Sequence, residues 1–234
     1  TSYPTVPYWQ TTAPTEAKWK ELVANTFQVS NQKEGISLYI HLPFCESLCT
    51  YCGCNTRITI NHKVETTYIT AVLQEWALYF SLFGDEMPII REIHLGGGTP
   101  TFFSPENLKL LVSGILKNTV VHPQAQFSFE AHPGNTTDAH LLALYEIGFR
   151  RISIGVQDFN PIVLAMINRH QNYEQIKHLT LKAREIGYTS VNYDLIYGLP
   201  MQKTCYMMET MMRVIQLKPD RIAFYSYAHI PWIK

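Results

Sequence analysis

Glu146-Ile-Gly-Phe149 and Glu185-Ile-Gly-Tyr188 are two copies of one short pattern, and each stands directly before an apolar, β-rich run of residues. The two runs are Arg151–Gly155 and Ser190–Ile196. In each copy the glycine comes where a helix is expected to stop, because glycine readily adopts the backbone conformation that closes a helix C-terminus. The repeat therefore predicts two consecutive units in which a helix, a glycine turn and a strand follow one another.

The same alternation continues through most of the chain. Further β-rich runs lie at Ile36–His41, Ile89–Leu95, Gln126–Glu130 and Asp220–Tyr225. Helical patterns lie at Lys63–Phe83, Pro105–Lys117, Asp138–Ile147, Pro161–Asn168, Tyr173–Ile186 and Thr204–Gln216. Strands that alternate with helices form parallel sheets. We predict an α/β fold, an open partial barrel of six βα units, with a doubly wound open sheet as the main alternative.

The first 35 residues lack this alternation and contain turn-forming prolines. One short helix is predicted from about Glu16 to Phe27, with Thr15 as its N-cap. We divide the chain into an N-terminal extension, residues 1–35, and a barrel, residues 36–234. The chain starts without methionine and stops just after the last predicted strand, so we expect a fragment or a processed form.

Composition excludes several classes of function. Hydrophobic residues make up 46% of the 234 residues and charged residues 16%, which fits one soluble packed domain. Lys plus Arg and Asp plus Glu both number 19, without a basic run, so no nucleic-acid partner is expected. No stretch approaches the roughly 20 apolar residues of a membrane span. Five cysteines without an apolar signal segment argue against disulfides and for a cytoplasmic protein.

Four of those cysteines lie together in Cys45-Glu-Ser-Leu-Cys49-Thr-Tyr-Cys52-Gly-Cys54. The first three have the spacing C-x3-C-x2-C, and three thiolates hold three irons of a 4Fe–4S cluster while the fourth iron stays open. An open coordination position is typical of a metal site that performs chemistry. Structural zinc is the alternative, but zinc sites usually need a second cysteine or histidine pair, and Cys205 stands alone.

Polar or glycine-rich residues follow every predicted strand. In barrels of βα units the chemistry lies at the carboxyl ends of the strands, so these residues are expected on one rim. They are the cysteine loop, Gly96-Gly97-Gly98-Thr99-Pro100, Glu130, Gln157 with Asp158, Asp194, and Ala228 with His229.

Each rim residue also has a structural interpretation. The triple glycine is either a ligand-approaching loop or a tight turn. Glu130 and Asp194 either accept hydrogen bonds from an ammonium or ribose group, or form a salt bridge with Arg150 or Arg151. Arg169 is either a bidentate clamp for a carboxylate or a solvated side chain.

Other candidates carry weaker signals. Gln157 is a cap or a ligand contact. His41 and His94 are read first as packing residues at strand ends. Met207, Met208, Met211 and Met212 favour a buried core or interface over a cofactor site.

The cysteine spacing, with Tyr51 before the last cysteine, resembles that of the radical S-adenosylmethionine enzymes. In that family the open iron chelates the amino and carboxylate groups of S-adenosylmethionine, and one-electron transfer gives a 5′-deoxyadenosyl radical. The Gly-Gly-Gly-Thr-Pro loop is similar to that family's contact to the amino group.

A narrower resemblance covers essentially the whole chain, to the oxygen-independent coproporphyrinogen III dehydrogenase (oxidase) family. It is carried by Thr1–Thr5, Ser37–Cys45, Cys52–Asn55, Ser153–Asn160, Asn168-Arg169, Asp194–Pro200 and Tyr227–His229. The resemblance implies a radical oxidoreductase of haem biosynthesis. It would oxidatively decarboxylate two propionates of coproporphyrinogen III to vinyls, giving protoporphyrinogen IX, after the adenosyl radical abstracts a hydrogen from the propionate β-carbon.

The resemblance also implies roles for single residues. Cys45, Cys49 and Cys52 would ligate the cluster, and Cys54 would not. Tyr39, Gly97 and Glu130 would contact the S-adenosylmethionine bound to the cluster. A second S-adenosylmethionine would contact Tyr51, Gly98, Thr99, Gln157, Arg169, Asp194 and Ala228.

Further expectations follow from the same resemblance. The partners would be a tetrapyrrole and a small-protein or flavoprotein electron donor, the protein would be a monomer, and Arg57 is a candidate for propionate binding. Family members carry a further, mostly helical C-terminal domain that is absent from this sequence, so the chain alone is expected to be a weak or inactive enzyme. The alternatives are a related haem carrier, against which Cys54-Asn55 argues, and a metal-binding module without catalysis.

Overall fold

A computed structural model describes residues 13–228 of the chain. Residues 1–12 and 229–234 lie outside this range, and with them the motif Thr1–Thr5 and the predicted rim residue His229. Within it the helices are α1 (Glu16–Ser30), α2 (Val64–Phe80), α3 (Pro105–Leu116), α4 (Asp138–Glu146), α5 (Pro161–Met166), α6 (Tyr173–Ile186) and α7 (Thr204–Leu217). The strands are β1 (Ile36–Leu42), β2 (Phe44–Cys45), β3 (Arg57–Ile58), β4 (Ile89–Gly97), β5 (Val120–Ala131), β6 (Phe149–Gln157), β7 (Ser190–Tyr197) and β8 (Arg221–Ser226).

Six strands form one parallel sheet in the order β1-β4-β5-β6-β7-β8. This order follows the chain without reversal, whereas a doubly wound sheet reverses its strand order at a switch point. Helices α2, α3, α4 and α6 also contact one another in sequence, as expected for a single layer on one face. The prediction of an open parallel α/β barrel is therefore confirmed, and the doubly wound alternative is wrong.

Helix ends follow local chemistry that was readable in the sequence. The Thr15 side chain accepts from the Lys18 N–H at 3.2 Å, and Ser104 caps α3 in front of Pro105. Gly187 ends α6 with a φ of 113°, in the left-handed region where a side chain is strained. The predicted boundaries of these helices therefore agree with the structure to within a few residues.

The core lies between the sheet and the helix layer. Fully buried side chains such as Leu95, Phe129, Ile154 and Tyr193 point from the strands towards the helices. Helix α1 packs on the same body, because Phe27 stacks on Phe83 with ring centroids 4.0 Å apart and the Asn31 side chain accepts from the Ile89 N–H. No helix within residues 13–228 has the length and apolarity needed to cross a membrane.

Three strands, β2, β3 and β5, differ most from the prediction. Strand β5 begins at Val120, six residues before the predicted start. The sequence did not predict these residues as strand because the exposed first half of β5 shows no alternation of apolar and polar residues. The two-residue strands β2 and β3 pair in parallel and enclose the cysteine loop. They were missed because so short a strand has no sequence period.

Candidate functional site

The cysteine loop is held at the carboxyl end of the sheet by backbone hydrogen bonds. The Gly98 N–H donates to the Leu42 carbonyl at 2.9 Å, and the Thr99 N–H donates to the Phe44 carbonyl at 3.0 Å. From the far side, the Asn168 side chain donates to the Leu48 carbonyl at 2.8 Å. The loop is therefore fastened both to the glycine loop after β4 and to the segment after α5.

Cys45, Cys49 and Cys52 are half-buried free thiols that line one cavity of about 590 Å³. Eight of the ten predicted cofactor-binding residues line the same cavity. They are Tyr51, Gly97, Gly98, Thr99, Glu130, Gln157, Arg169 and Asp194. The structure thus brings together residues from six separate places in the sequence.

Tyr39 and Ala228 do not line this cavity. Tyr39 is 60% exposed and lies at the cavity's edge, where its ring and the Glu130 carboxylate both flank Gly96. Ala228 is exposed just after β8. Their predicted contacts to S-adenosylmethionine remain predictions.

The glycine loop leaves room only for a backbone. A Cβ at Gly98 would lie 2.7 Å from the Pro43 carbonyl and 3.0 Å from the Cys45 sulfur. Gly97 has a φ of 121°, which other residues rarely adopt. The Thr99 hydroxyl lies 3.2 Å from the Cys45 sulfur. The glycine loop therefore fixes the position of the Cys45 thiol, and its residues Gly97, Gly98 and Thr99 line the cavity.

Arg169 is buried and almost fully engaged. Its guanidinium donates to the Gly155 carbonyl at 2.6 Å and to the Gln171 side chain at 2.8 Å. Its Nη1 donates to the Tyr51 hydroxyl at 3.3 Å and lies 3.6 Å from the Cys49 sulfur. One of its five N–H donors remains, so Arg169 is not a solvated side chain. A bidentate clamp on a carboxylate stays a prediction, and it would require some of these hydrogen bonds to be exchanged.

The carboxylates of Glu130 and Asp194 do not pair with Arg150 or Arg151. Asp194 accepts from the Ser153 hydroxyl at 2.8 Å and from the Asn192 amide at 2.9 Å. Glu130 accepts from the Gly97 N–H at 3.3 Å and lies 3.4 Å from the His94 ring. Within residues 13–228 neither acid therefore forms the expected salt bridge with Arg150 or Arg151, although Glu130 can pair with a protonated His94. Both acids line the cavity.

Gln157 and Asp158 share a turn but differ in role. Gln157 is buried with a φ of 63°, a costly conformation for a residue with a side chain, and it lines the cavity. Asp158 is fully buried and accepts from Asn160, Gln202 and Thr210. Asp158 therefore braces the turn and does not face the cavity.

His41, His94 and the methionines of α7 do not line the cavity. His41 is hydrogen-bonded to the Asn55 carbonyl at 2.8 Å, and its ring supports Gly97. His94 bonds to Ser128. Met208 and Met212 are largely exposed on α7, so these two are not part of a buried core, and the alternative of a buried interface stays a prediction.

One functional candidate was missed. His132 lines the cavity two residues after Glu130 on β5, and the alternation of side chains along a strand could have identified it. Its Nδ1 accepts from the Gly134 N–H at 3.0 Å. Burial, reinforced by nearby Arg169 and His170, lowers the pKa of His132 to about 3, so the ring is neutral at pH 7.

The cysteine thiols have unequal acidities. A hydrogen bond from Cys54 lowers the pKa of Cys52 to about 6, and the same bond raises the pKa of Cys54. Burial raises the pKa of Cys45. No group of three His, Cys, Asp or Glu side chains within residues 13–228 converges tightly enough to hold a metal ion. Three separate thiols around one cavity are nevertheless the donor set that a 4Fe–4S cluster takes, one thiolate for each of three irons.

Asp194 provides a prediction about stability. Burial raises its folded-state pKa, so its charged form destabilises the fold at pH values above the ordinary carboxyl pKa of about 4. Asp194→Asn is expected to unfold at a higher temperature than the unchanged chain at pH 7, with the difference disappearing below about pH 4. Thermal unfolding across pH measures this, with exposed Asp85→Asn as the control. A lower unfolding temperature for Asp194→Asn at pH 7 would mean that the hydrogen bonds from Ser153 and Asn192 to the carboxylate outweigh burial.

Comparison with known proteins gives a consistent result. The sequence profile of the Radical SAM superfamily matches residues 39–214. The chain is 37% identical over 233 residues to oxygen-independent coproporphyrinogen III oxidase of Paracoccus denitrificans, covering 100% of this chain and 50% of the relative. It is 40% identical over 198 residues to the protein of the same name from Escherichia coli K12, and this match covers 85% of this chain and 43% of the relative. The chain thus spans about half the length of these curated relatives.

Solved structures agree at the level of the fold. Coproporphyrinogen III oxidase (HemN) from Escherichia coli, described as a radical SAM enzyme, superposes with a TM-score of 0.89 at 38% identity, covering 99% of this chain and 52% of that one. The radical S-adenosylmethionine methyltransferase TsrM from Kitasatospora setae gives a TM-score of 0.58 at 14% identity, covering 82% and 36%. The second likeness concerns the fold alone.

Proposed function

Because the chain belongs to the radical SAM superfamily, we propose that it performs the oxidative decarboxylation of coproporphyrinogen III. Two propionates would become vinyls, giving protoporphyrinogen IX in haem biosynthesis. The observation that carries this proposal is the single cavity lined by the three thiols of the motif, the glycine loop and the carboxylates of Glu130 and Asp194. Identity of 37% along the whole chain to curated oxidases supports the choice of substrate.

Superfamily membership implies a 4Fe–4S cluster and S-adenosylmethionine, and the residues present fit both groups. Cys45, Cys49 and Cys52 would each hold one iron. The chemistry that a bound cluster supplies is an open iron and one electron for the cleavage of S-adenosylmethionine. The chain's own contribution is to fix the three thiols, through the hydrogen bonds of Gly98, Thr99 and Asn168, and to half-bury them from water.

The carboxylates and glycines around the cavity suit the remaining groups of S-adenosylmethionine. Gly97 and Glu130, with Tyr39 at the edge, would orient the molecule on the cluster, since a carboxylate accepts from an ammonium or from ribose hydroxyls. A second S-adenosylmethionine would contact the other cavity residues and Ala228. They are Tyr51, Gly98, Thr99, Gln157, Arg169 and Asp194.

Several expectations from the sequence belong to the same proposal. The chain would comprise two units, the N-terminal extension of residues 1–35 and the barrel of residues 36–234. The electron donor would be a small protein or flavoprotein, the protein would be a cytoplasmic monomer, and further polypeptide of the kind present in the longer relatives would help to close the cavity.

The proposal is tested by the products of the cluster-loaded chain under anaerobic conditions. With S-adenosylmethionine, a low-potential reductant and coproporphyrinogen III, we expect 5′-deoxyadenosine and, as a weak activity, a tetrapyrrole that has lost carboxyl groups. Mass spectrometry measures both, with Cys49→Ser as the inactive control. Cleavage of S-adenosylmethionine with unchanged coproporphyrinogen, or tight haem binding instead, would contradict the substrate while leaving superfamily membership intact.

A further inference from the structure

A second cavity, of about 510 Å³, adjoins the cysteine cavity. Glu130, Ser153 and Asp194 line both, so the two spaces share a wall at the carboxyl end of the sheet. The second cavity continues from that wall towards the amino ends of β5 to β8. It therefore offers a binding surface directly beside the site where the proposed chemistry takes place.

The two ends of this cavity carry opposite charges. Glu130 and Asp194 lie at the shared wall, and Arg151 and Arg221 line the cavity further along the strands. Arg151 lies two residues before Ser153, which is paired with Glu130, and Arg221 is paired with Asn192, two residues before Asp194. A step of two residues along a strand covers roughly 6.6 Å, so the arginines lie one such step from the acids.

Both arginines have unused donors. Arg151 donates to the Gln126 side chain at 2.5 Å, and the Arg221 side chain has no hydrogen bond within residues 13–228. Neither arginine forms an ion pair in that part of the chain. A guanidinium has five N–H donors in a planar fork that matches a carboxylate. A cavity with two such groups therefore selects a ligand with carboxylates.

Their spacing suits two carboxylates of one molecule. Arg151 lies on β6 and Arg221 on β8, with β7 between them, so their strands are about 10 Å apart across two inter-strand spacings. Coproporphyrinogen III has four propionates, of which two react and two are retained. The reacting pair must reach the cysteine cavity, and the retained pair must be held away from it.

Resting on the proposed function, we propose that Arg151 and Arg221 bind the two propionates that the tetrapyrrole retains. The anion-binding role would then belong to the second cavity, which is lined by residues of β4 to β8. Arg57, the candidate from the sequence, is exposed on β3 and does not line this cavity.

The test is a porphyrin titration of the 234-residue chain, followed by fluorescence. Coproporphyrin III carries all four propionates, and mesoporphyrin IX carries only the two that are retained. Arg151→Gln and Arg221→Gln are each expected to weaken binding of both porphyrins by about tenfold, and Arg221→Lys is expected to restore part of it. Lys177→Gln, which removes one positive charge from α6, is the control and should leave both affinities unchanged.

Each other outcome overturns the assignment in a different way. Unchanged affinity in both arginine variants would refute the subsite and leave the proposed reaction standing. Loss of affinity for coproporphyrin alone would mean that the arginines hold the propionates that react. Absence of binding of either porphyrin by the unchanged chain would refute the subsite and the tetrapyrrole substrate together, while cleavage of S-adenosylmethionine would still be measurable. Circular dichroism of each variant establishes that its fold is retained.

Discussion

Serine in place of Cys45, Cys49 or Cys52 is expected to lower the iron bound by the reconstituted chain by roughly tenfold or more. Each of these thiols lines the cavity and would be the sole protein ligand of one iron. Serine keeps the size of the side chain but removes the soft thiolate that iron–sulfur clusters require. Iron and sulfide assays after anaerobic reconstitution measure the effect, and cleavage of S-adenosylmethionine should fall with the iron content.

The chain supplies two matched controls. Cys54 lies two residues beyond the motif and is exposed, and Cys205 is exposed on α7. Cys54→Ser and Cys205→Ser are expected to retain the iron content of the unchanged chain. If Cys54→Ser loses as much iron as Cys52→Ser, the set of ligands is wrong. If all five variants retain iron, the metal lies elsewhere.

Glu65→Ala is expected to lower the free energy of unfolding by about 3 kcal/mol, the largest stability effect among single replacements considered. Glu65 is 2% exposed and lies in the first turn of α2. It accepts from the Ser104 N–H at 2.8 Å, from the Asn107 amide at 2.7 Å and from the His62 ring at 2.8 Å. Alanine would leave these donors without their partner, at the N-terminal ends of two helices.

The same replacement is expected to loosen the cysteine loop. His62 stacks on Phe102 at 4.4 Å and lies 3.7 Å from the Glu46 carboxylate, next to Cys45. Glu65 thus supports the loop through His62. Urea unfolding measures the loss, with exposed Glu106→Ala on α3 as a control that should change stability by about 0.5 kcal/mol or less. Equal effects of the two replacements would contradict the role given to Glu65.

The fold was predictable because local signals agreed with one another. Apolar runs separated by helical patterns, with Gly148 and Gly187 at helix ends, predicted parallel βα units. The doubly wound sheet remained the main alternative to the predicted barrel, because the choice between the two depends on which strands become neighbours. That pairing is decided by packing over long distances along the chain, which a local pattern does not contain.

The candidate site was predictable for a related reason. Residues at the carboxyl ends of parallel strands must share one rim, so the thiols, the glycine loop, Glu130 and Asp194 could be grouped without a structure. The partners of charged groups were harder. Arg169 is hydrogen-bonded to Gly155 and Gln171, and Glu65 is hydrogen-bonded to residues at the start of another helix. Such contacts join residues far apart in the chain, so no periodic pattern in the sequence predicts them.

We propose that three thiols on one loop would leave one iron of a cluster without a protein ligand at the carboxyl end of the sheet. Anaerobic determination of iron and acid-labile sulfide in the reconstituted 234-residue chain tests it most directly. We expect a brown protein with about four irons and four sulfides per chain, together with cluster absorbance. A colourless protein that binds one zinc ion, or one that binds no iron, would contradict it.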